Sequence, residues 1–328
     1  MKIALGIESS RSRGMGHLFR SLLFVEHLKQ NSIEFVYMIN NDEASAAILE
    51  SRGIPYQIVD YTDTTSNWER RIIEAESVSV WLNDKFETSS AMGRHIKETG
   101  ILFCLLDDVG EAEACCDIYF AGMIYFSKKC FHGAKVYAGN EYIILNPEIA
   151  RYRHERHSLH KIVVSMGGSD PHLVTYDIVN ELLNYNYNAD IIIGPNYRDK
   201  EKLIQLNRGR FQIMQNVPSL AETFSNYDLA ITGGGVTCCE ANAAGLPCIV
   251  IANAPHEENT GRYMQELGGC IYGGNYQNWD RELLSQLDRL NITRMSKKGM
   301  EHFDFKAIER IIAVIAANVK EKGNDSLF

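Results

Sequence analysis

Apolar runs of strand length alternate along the chain with segments whose apolar residues recur at helical spacing, the pattern of an α/β protein. Residues 3–7 read as a strand, and residues 17–30 carry Leu18, Leu22, Val25 and Leu28 at helical intervals. A strand over 33–39 and a helix over 43–51 follow, the helix stopped by Arg52-Gly53-Ile54-Pro55. Further strands are expected over 56–59, 78–82 and 101–106. The stretch 151–160 is basic, rich in histidine and without period, and marks a domain boundary. Beyond it the alternation restarts with a strand over 161–165, a helix over 173–183 and strands over 189–193 and 211–214. Ser219 and Glu222 form a capping box that opens another helix. A strand over 228–231 then feeds Gly233-Gly234-Gly235, a helix to 244, a strand over 247–251 and a helix over 257–267. A last helix over 305–319 precedes a polar tail.

Length and charge narrow what such a protein does. At roughly 150 residues per domain, 328 residues suggest two domains. Forty-two acidic against 33 basic side chains leave a formal charge of −9, so no summed positive field draws a nucleic acid. An anionic small molecule stays open, because main-chain N–H groups at helix N-termini bind phosphate without net positive charge. Apart from this, 45% hydrophobic and 23% charged residues are ordinary for a soluble globular chain. No apolar run reaches the roughly 18 residues of a membrane span, and Glu8 ends the first run too early for a signal-peptide core, so the chain reads as cytoplasmic. Its eight cysteines contain no Cys-x-x-Cys, which favours buried or site-lining thiols over a disulfide framework.

The candidate chemistry gathers where strands give way to helices, the edge at which open parallel sheets bind ligands. Gly14-Met15-Gly16-His17, with Arg20 one turn on, lies between the first strand and the first helix. Its glycines allow close backbone approach, and a histidine at a helix N-terminus is disfavoured as a cation, which suits a general base. A tight turn whose histidine caps or packs is the alternative. Met166-Gly167-Gly168-Ser169-Asp170-Pro171 holds the matching place in the second half, as a phosphate-approach loop or simply a turn. Thr232 to Thr237 places three glycines after a strand and before a helix, an anion cradle. Glu240, one turn on, is placed to accept from the two hydroxyls of a ribose, or else is a solvated helix residue. His256 and Asn259 can touch sugar or phosphate, or cap the following helix. His154, His157 and His160 lack a thiol at a diagnostic interval and read as a solvated linker, while Asp107-Asp108 is an acidic pair of metal-binding type or, lacking a third acid, a strand end or turn.

Taken together, Gly14 to His17 with Arg20, Asp107-Asp108, Met166 to Pro171, Gly194-Pro195, and the glycine loop with Glu240 and Gly245-Leu246-Pro247 resemble one family over nearly the whole chain. It is the UDP-sugar hydrolase of pseudaminic acid biosynthesis (PseG) with its spore-coat relatives (SpsG), itself similar to MurG-type GT-B glycosyltransferases. The resemblance implies an α/β, GT-B-like fold of two Rossmann-like domains facing across a cleft: a sugar-binding and catalytic domain over 1–150, a linker over 151–160 and a nucleotide-binding domain over 161–328. It implies hydrolysis of a nucleotide sugar, UDP-linked in the family, without metal or cofactor. His17 takes the position of the base, with Glu8, Gly14, Gly16, Arg20 and Asp84 as substrate-side candidates. The nucleotide set is Gly167, Gly168, Gly194, Val217, Gly233, Gly234, Gly235, Val236, Thr237, Glu240, His256 and Asn259.

The chain departs from the family at Gly6-Ile7-Glu8, where such hydrolases carry Arg-x-Asp, and at Asp84-Lys85-Phe86, where they carry Asp-His-Tyr. It also lacks the asparagine that usually follows the Cys-Asp pair of Cys116-Asp117. These departures leave two alternatives to hydrolysis: a GT-B glycosyltransferase using a nucleotide-sugar donor, and a nucleotide-sugar binding protein without turnover.

Overall fold

A computed structural model describes residues 1–10, 15–123, 134–168, 170–194, 197–215 and 217–325. The first half runs β1 (Lys2–Ile7), α1 (Gly16–Gln30), β2 (Glu34–Ile39), α2 (Glu43–Ser51), β3 (Gln57–Ile58), α3 (Trp68–Glu76), β4 (Val80–Asp84), α4 (Ser90–Lys97), β5 (Leu102–Leu106), β6 (Ile118–Ala121) and β7 (Lys135–Ala138). The short α5 (Ile149–Tyr152) leads to β8 (Ile162–Ser165), α6 (Val174–Asn184), β9 (Ala189–Ile193), α7 (Lys200–Asn207), β10 (Ile213–Gln215) and α8 (Leu220–Phe224). Then come β11 (Leu229–Thr232), α9 (Val236–Ala243), β12 (Cys248–Ala252), α10 (Pro255–Glu266), β13 (Cys270–Asn275), α11 (Ile292–Glu301) and α12 (Ala307–Asp325).

Two sheets form, and every pairing in them is parallel. The first has the order β3-β2-β1-β4-β5-β6-β7 and the second β10-β9-β8-β11-β12-β13. Parallel strands need crossovers that cover both faces, which is why these strands are near-continuous apolar runs rather than alternating ones. Each order reverses once, between β1 and β4 and between β8 and β11, and loops at such a reversal splay apart to leave a crevice. Both sheets are Rossmann-like, as the sequence pattern and the resemblance led us to expect.

The expected domain limits are corrected at both ends. The compact units are Met1–Ile144 with the residues from Lys306 on, and Leu145–Phe305. In α12, Ala307, Ile311 and Ile315 are buried in the same core as Ile3, Leu5, Val25, Leu102 and Leu106, so the last helix belongs to the first unit. Nor is 151–160 a linker. Arg156 within it is 2% exposed and donates to the carbonyls of His154, Phe224, Tyr227 and Ala244, which ties it into the second unit at the C-terminal ends of α8 and α9. A cation there complements two helix dipoles.

Candidate functional site

The reversal of the first sheet brings together four charged or ionisable side chains. His17 stands in the first turn of α1, and Asp84 ends β4 opposite Ile7 of β1. His17 Nδ1 lies 2.6 Å from Asp84 Oδ1, with the carboxyl buried and the imidazole 26% exposed. A carboxylate facing Nδ1 accepts its proton and leaves Nε2 as the ring's acceptor. Arg20, one turn along α1, forks onto Asp84 through Nε (2.9 Å) and Nη2, and reaches Asp107 Oδ2 through Nη1 at 2.6 Å. Burial pushes the Asp84 carboxyl up, but Arg20 and His17 outweigh it and hold Asp84 at about 2. Burial raises Asp107, whose other oxygen accepts from Met123 N at 2.9 Å. Asp108 is pushed up to about 6 by burial, although it accepts from Thr88 N, Thr88 Oγ1 and Gly110 N.

Arg20 and Asp84, the substrate-side candidates, are paired with each other. Glu8 lies at the end of β1 with Lys85 Nζ 3.7 Å from its carboxylate, and Lys85 also sits over the Tyr61 ring at 4.0 Å. Gly16 is exposed, with no described atom near enough to demand a glycine, and Gly14 lies outside the described residues. The acidic pair Asp107-Asp108 follows β5, with both carboxylates engaged by protein partners. Among the described residues no group of three His, Cys, Asp or Glu side chains is placed to hold a metal ion.

The reversal of the second sheet carries the other set. Gly167 takes φ +86°, which a side chain rarely tolerates, and opens the loop after β8. A side chain at Gly194 would overlap the carbonyl oxygens of Gly167 and Gly168, so Gly194 packs the β8 and β9 loops together. Asp170 closes that loop by accepting from Val174 N (2.9 Å), Thr175 N (2.8 Å) and Asn253 Nδ2 (2.9 Å). Ser169 and Pro195 lie outside the described residues.

After β11, Gly235 caps α9 without a side-chain hydrogen bond, so the first N–H groups of Val236 and Thr237 face outward from a helix N-terminus. Gly234 N–H is already engaged. It donates to Glu257 Oε2 at 3.0 Å, and Asn253 N–H donates to the same oxygen at 2.7 Å. Glu240, one turn into α9, is partly buried, and burial pushes its carboxyl up to about 7. Val217 is partly buried after β10, while His256 and Asn259 are exposed on the first turns of α10. The described cysteines apart from Cys115 are buried and all are free thiols; Cys130 lies outside the described residues.

With this geometry in hand, comparison with known proteins is informative. Residues 162–313 match the glycosyltransferase family 28 C-terminal domain. The spore coat polysaccharide biosynthesis protein SpsG of Bacillus subtilis is 23% identical, with 96% of this chain and 98% of that protein covered. The crystal structure of MurG from Acinetobacter baumannii superimposes with a TM-score of 0.70 at 15% identity, covering 96% of this chain and 99% of that one. The chain is similar to SpsG, and its fold is the GT-B fold of MurG. An uncharacterised protein of Methanocaldococcus jannaschii is 24% identical over 76% of this chain, which spans only 55% of that longer protein. No helix among the described residues is long and apolar enough to cross a membrane.

Sequence reasoning missed Glu257 and Asp170 as site-shaping residues. Asp170 stood inside a motif singled out for its glycines, and an acid just before a helix is a capping signal. Glu257 left no such signal, because one of its partners is a main-chain group of a loop 23 residues away and the other, Asn253 N–H, lies in the loop just before its own helix.

Proposed function

We propose that this protein transfers a sugar from a nucleoside-diphosphate sugar to an acceptor hydroxyl. The observation that carries the reading is the imidazole of His17 oriented by buried Asp84 at the reversal of the first sheet. His17 Nε2 takes the proton of the acceptor hydroxyl as its oxygen bonds to the anomeric carbon. The bond from that carbon to the diphosphate breaks with its electron pair going to the phosphate oxygen. Val236 and Thr237 N–H groups and the dipole of α9 stabilise the charge that develops there. Glu240 accepts from the ribose hydroxyls. The family 28 domain and the MurG-like fold support transfer. Likeness to SpsG supports a place in making a surface polysaccharide sugar.

Water in the acceptor's place is the second reading, favoured by the Gly-Met-Gly-His motif with Arg20 that the chain has in common with the hydrolases. Release of nucleoside diphosphate from a panel of nucleotide sugars, assayed with and without candidate acceptors, separates the two. Release that depends on an acceptor supports transfer, and equal release without one supports hydrolysis. Binding of the nucleotide sugar with no release under either condition contradicts both.

A further inference from the structure

The loop that receives phosphate in the reading above already carries a negative charge. Glu257, in the first turn of α10, directs Oε2 at two main-chain N–H groups, those of Gly234 at 3.0 Å and Asn253 at 2.7 Å. The fit is close, since a side chain at Gly234 would overlap the Glu257 carbonyl oxygen, and one at Gly233 would come within 3.1 Å of Oε2. Among the described residues no lysine, arginine or histidine forms an ion pair with Glu257, and two amide dipoles hold its charge. The carboxylate therefore occupies one donor of the glycine loop and leaves the N-terminus of α9, two residues on, for a ligand.

We propose that Glu257 is a specificity-determining residue that sets how much negative charge the cradle accepts. It rests on the nucleotide-binding role proposed above. A nucleotide sugar carries its diphosphate as a diester with one charge on each phosphate. The nucleoside diphosphate left after cleavage carries one further charge on its terminal phosphate. A fixed carboxylate beside the cradle costs the more highly charged species more, so it favours retention of the intact donor and departure of the spent diphosphate. Both N–H groups have their acceptor in Glu257 without a bound ligand.

The test needs no knowledge of the sugar. Uridine diphosphate and its terminal methyl ester share nucleoside and phosphates and differ by one charge above the last ionisation of the free diphosphate. Calorimetric titration of each into the full chain, at a pH above that ionisation, is expected to show tighter binding of the ester. Glu257→Gln keeps the accepting oxygen and removes the charge, and should narrow the ratio of the two dissociation constants by about threefold to tenfold. An unchanged ratio in a variant that melts like the unsubstituted protein would overturn the inference while leaving nucleotide binding in place. Tighter binding of the free diphosphate by the unsubstituted protein would overturn it without any variant. Failure of both compounds to bind would remove the nucleotide reading itself, and the inference with it.

Discussion

Asp84 is the residue on which the first site turns, because one buried carboxylate serves both an imidazole and a guanidinium. Its pKa of about 2 lies below the ordinary carboxylate value of 3.8, so it contributes stability above that ordinary value that is lost as pH falls through about 2. Acid unfolding should show this as about 2 kcal/mol that Asp84→Asn no longer loses on acidification. At neutral pH the same variant should be less stable by about 3–5 kcal/mol, since Arg20 keeps only Asp107. Equal stability of the two proteins at neutral pH would contradict the positioning role. Glu240 is perturbed in the other sense. Burial raises it to about 7 from 4.5, so its ionisation weakens the fold as pH rises through that window. Glu240→Gln should therefore melt higher above that window, by on the order of 1–3 kcal/mol, and should lose the rise in nucleotide affinity that ionised Glu240 confers on the parent. Identical melting at high pH would make Glu240 a solvated residue. His17, Arg20 and Glu240 stood out in the sequence because each follows a glycine turn at helical spacing. The pairing of Arg20 and Asp84 did not, since spacing along a chain says nothing about which side chains meet across strands.

At the scale of elements, the strand ends show where pattern reading fails. Hydropathy ends the fourth strand at residue 82, yet β4 runs on to Asp84. Asn83 and Asp84 are polar and buried, each satisfied by partners from elsewhere: Trp81 Nε1 donates to Asn83 Oδ1 and Asn83 Nδ2 to Thr88 Oγ1. Buried polar residues with partners of their own break the apolar rule that finds strands. The helix α3 escaped notice because its buried face mixes Trp68 and Ile73 with the charged Glu69, and β13 because Gly273-Gly274 reads as a turn. Glycines likewise divide into those the fold demands and those it does not. Gly194→Ala drives a methyl into the carbonyls of Gly167 and Gly168, and should cost about 1–3 kcal/mol and weaken nucleotide binding as the β8 loop shifts. Gly16→Ala enters open space in the first turn of a helix and should leave melting unchanged or slightly raised. Thermal melts of the two variants decide it, and equal effects would contradict the packing role given to Gly194.

At the scale of the whole molecule, the two sheets and the restart of the pattern after residue 160 were readable from hydropathy. The return of α12 to the first unit was not, because amphipathic period reveals that a helix has a buried face without revealing which sheet covers it. Ile311 is fully buried against the first sheet's core, so Ile311→Ala should destabilise that unit by about 2–5 kcal/mol. Hydrogen exchange should speed up in β1 and β5 before β8 and β11, and faster exchange confined to β8 and β11 would return α12 to the second unit. The division of labour between the units is the central claim, and steady-state turnover together with nucleotide affinity, measured on full-length His17→Asn and Glu240→Ala, tests it most directly. His17→Asn should lower turnover by about 10²–10⁴-fold with affinity nearly unchanged. Glu240→Ala should weaken affinity by roughly the 1.5–3 kcal/mol of a charged hydrogen bond. Near-normal turnover in His17→Asn, or a fall in affinity matching its fall in turnover, would contradict the account.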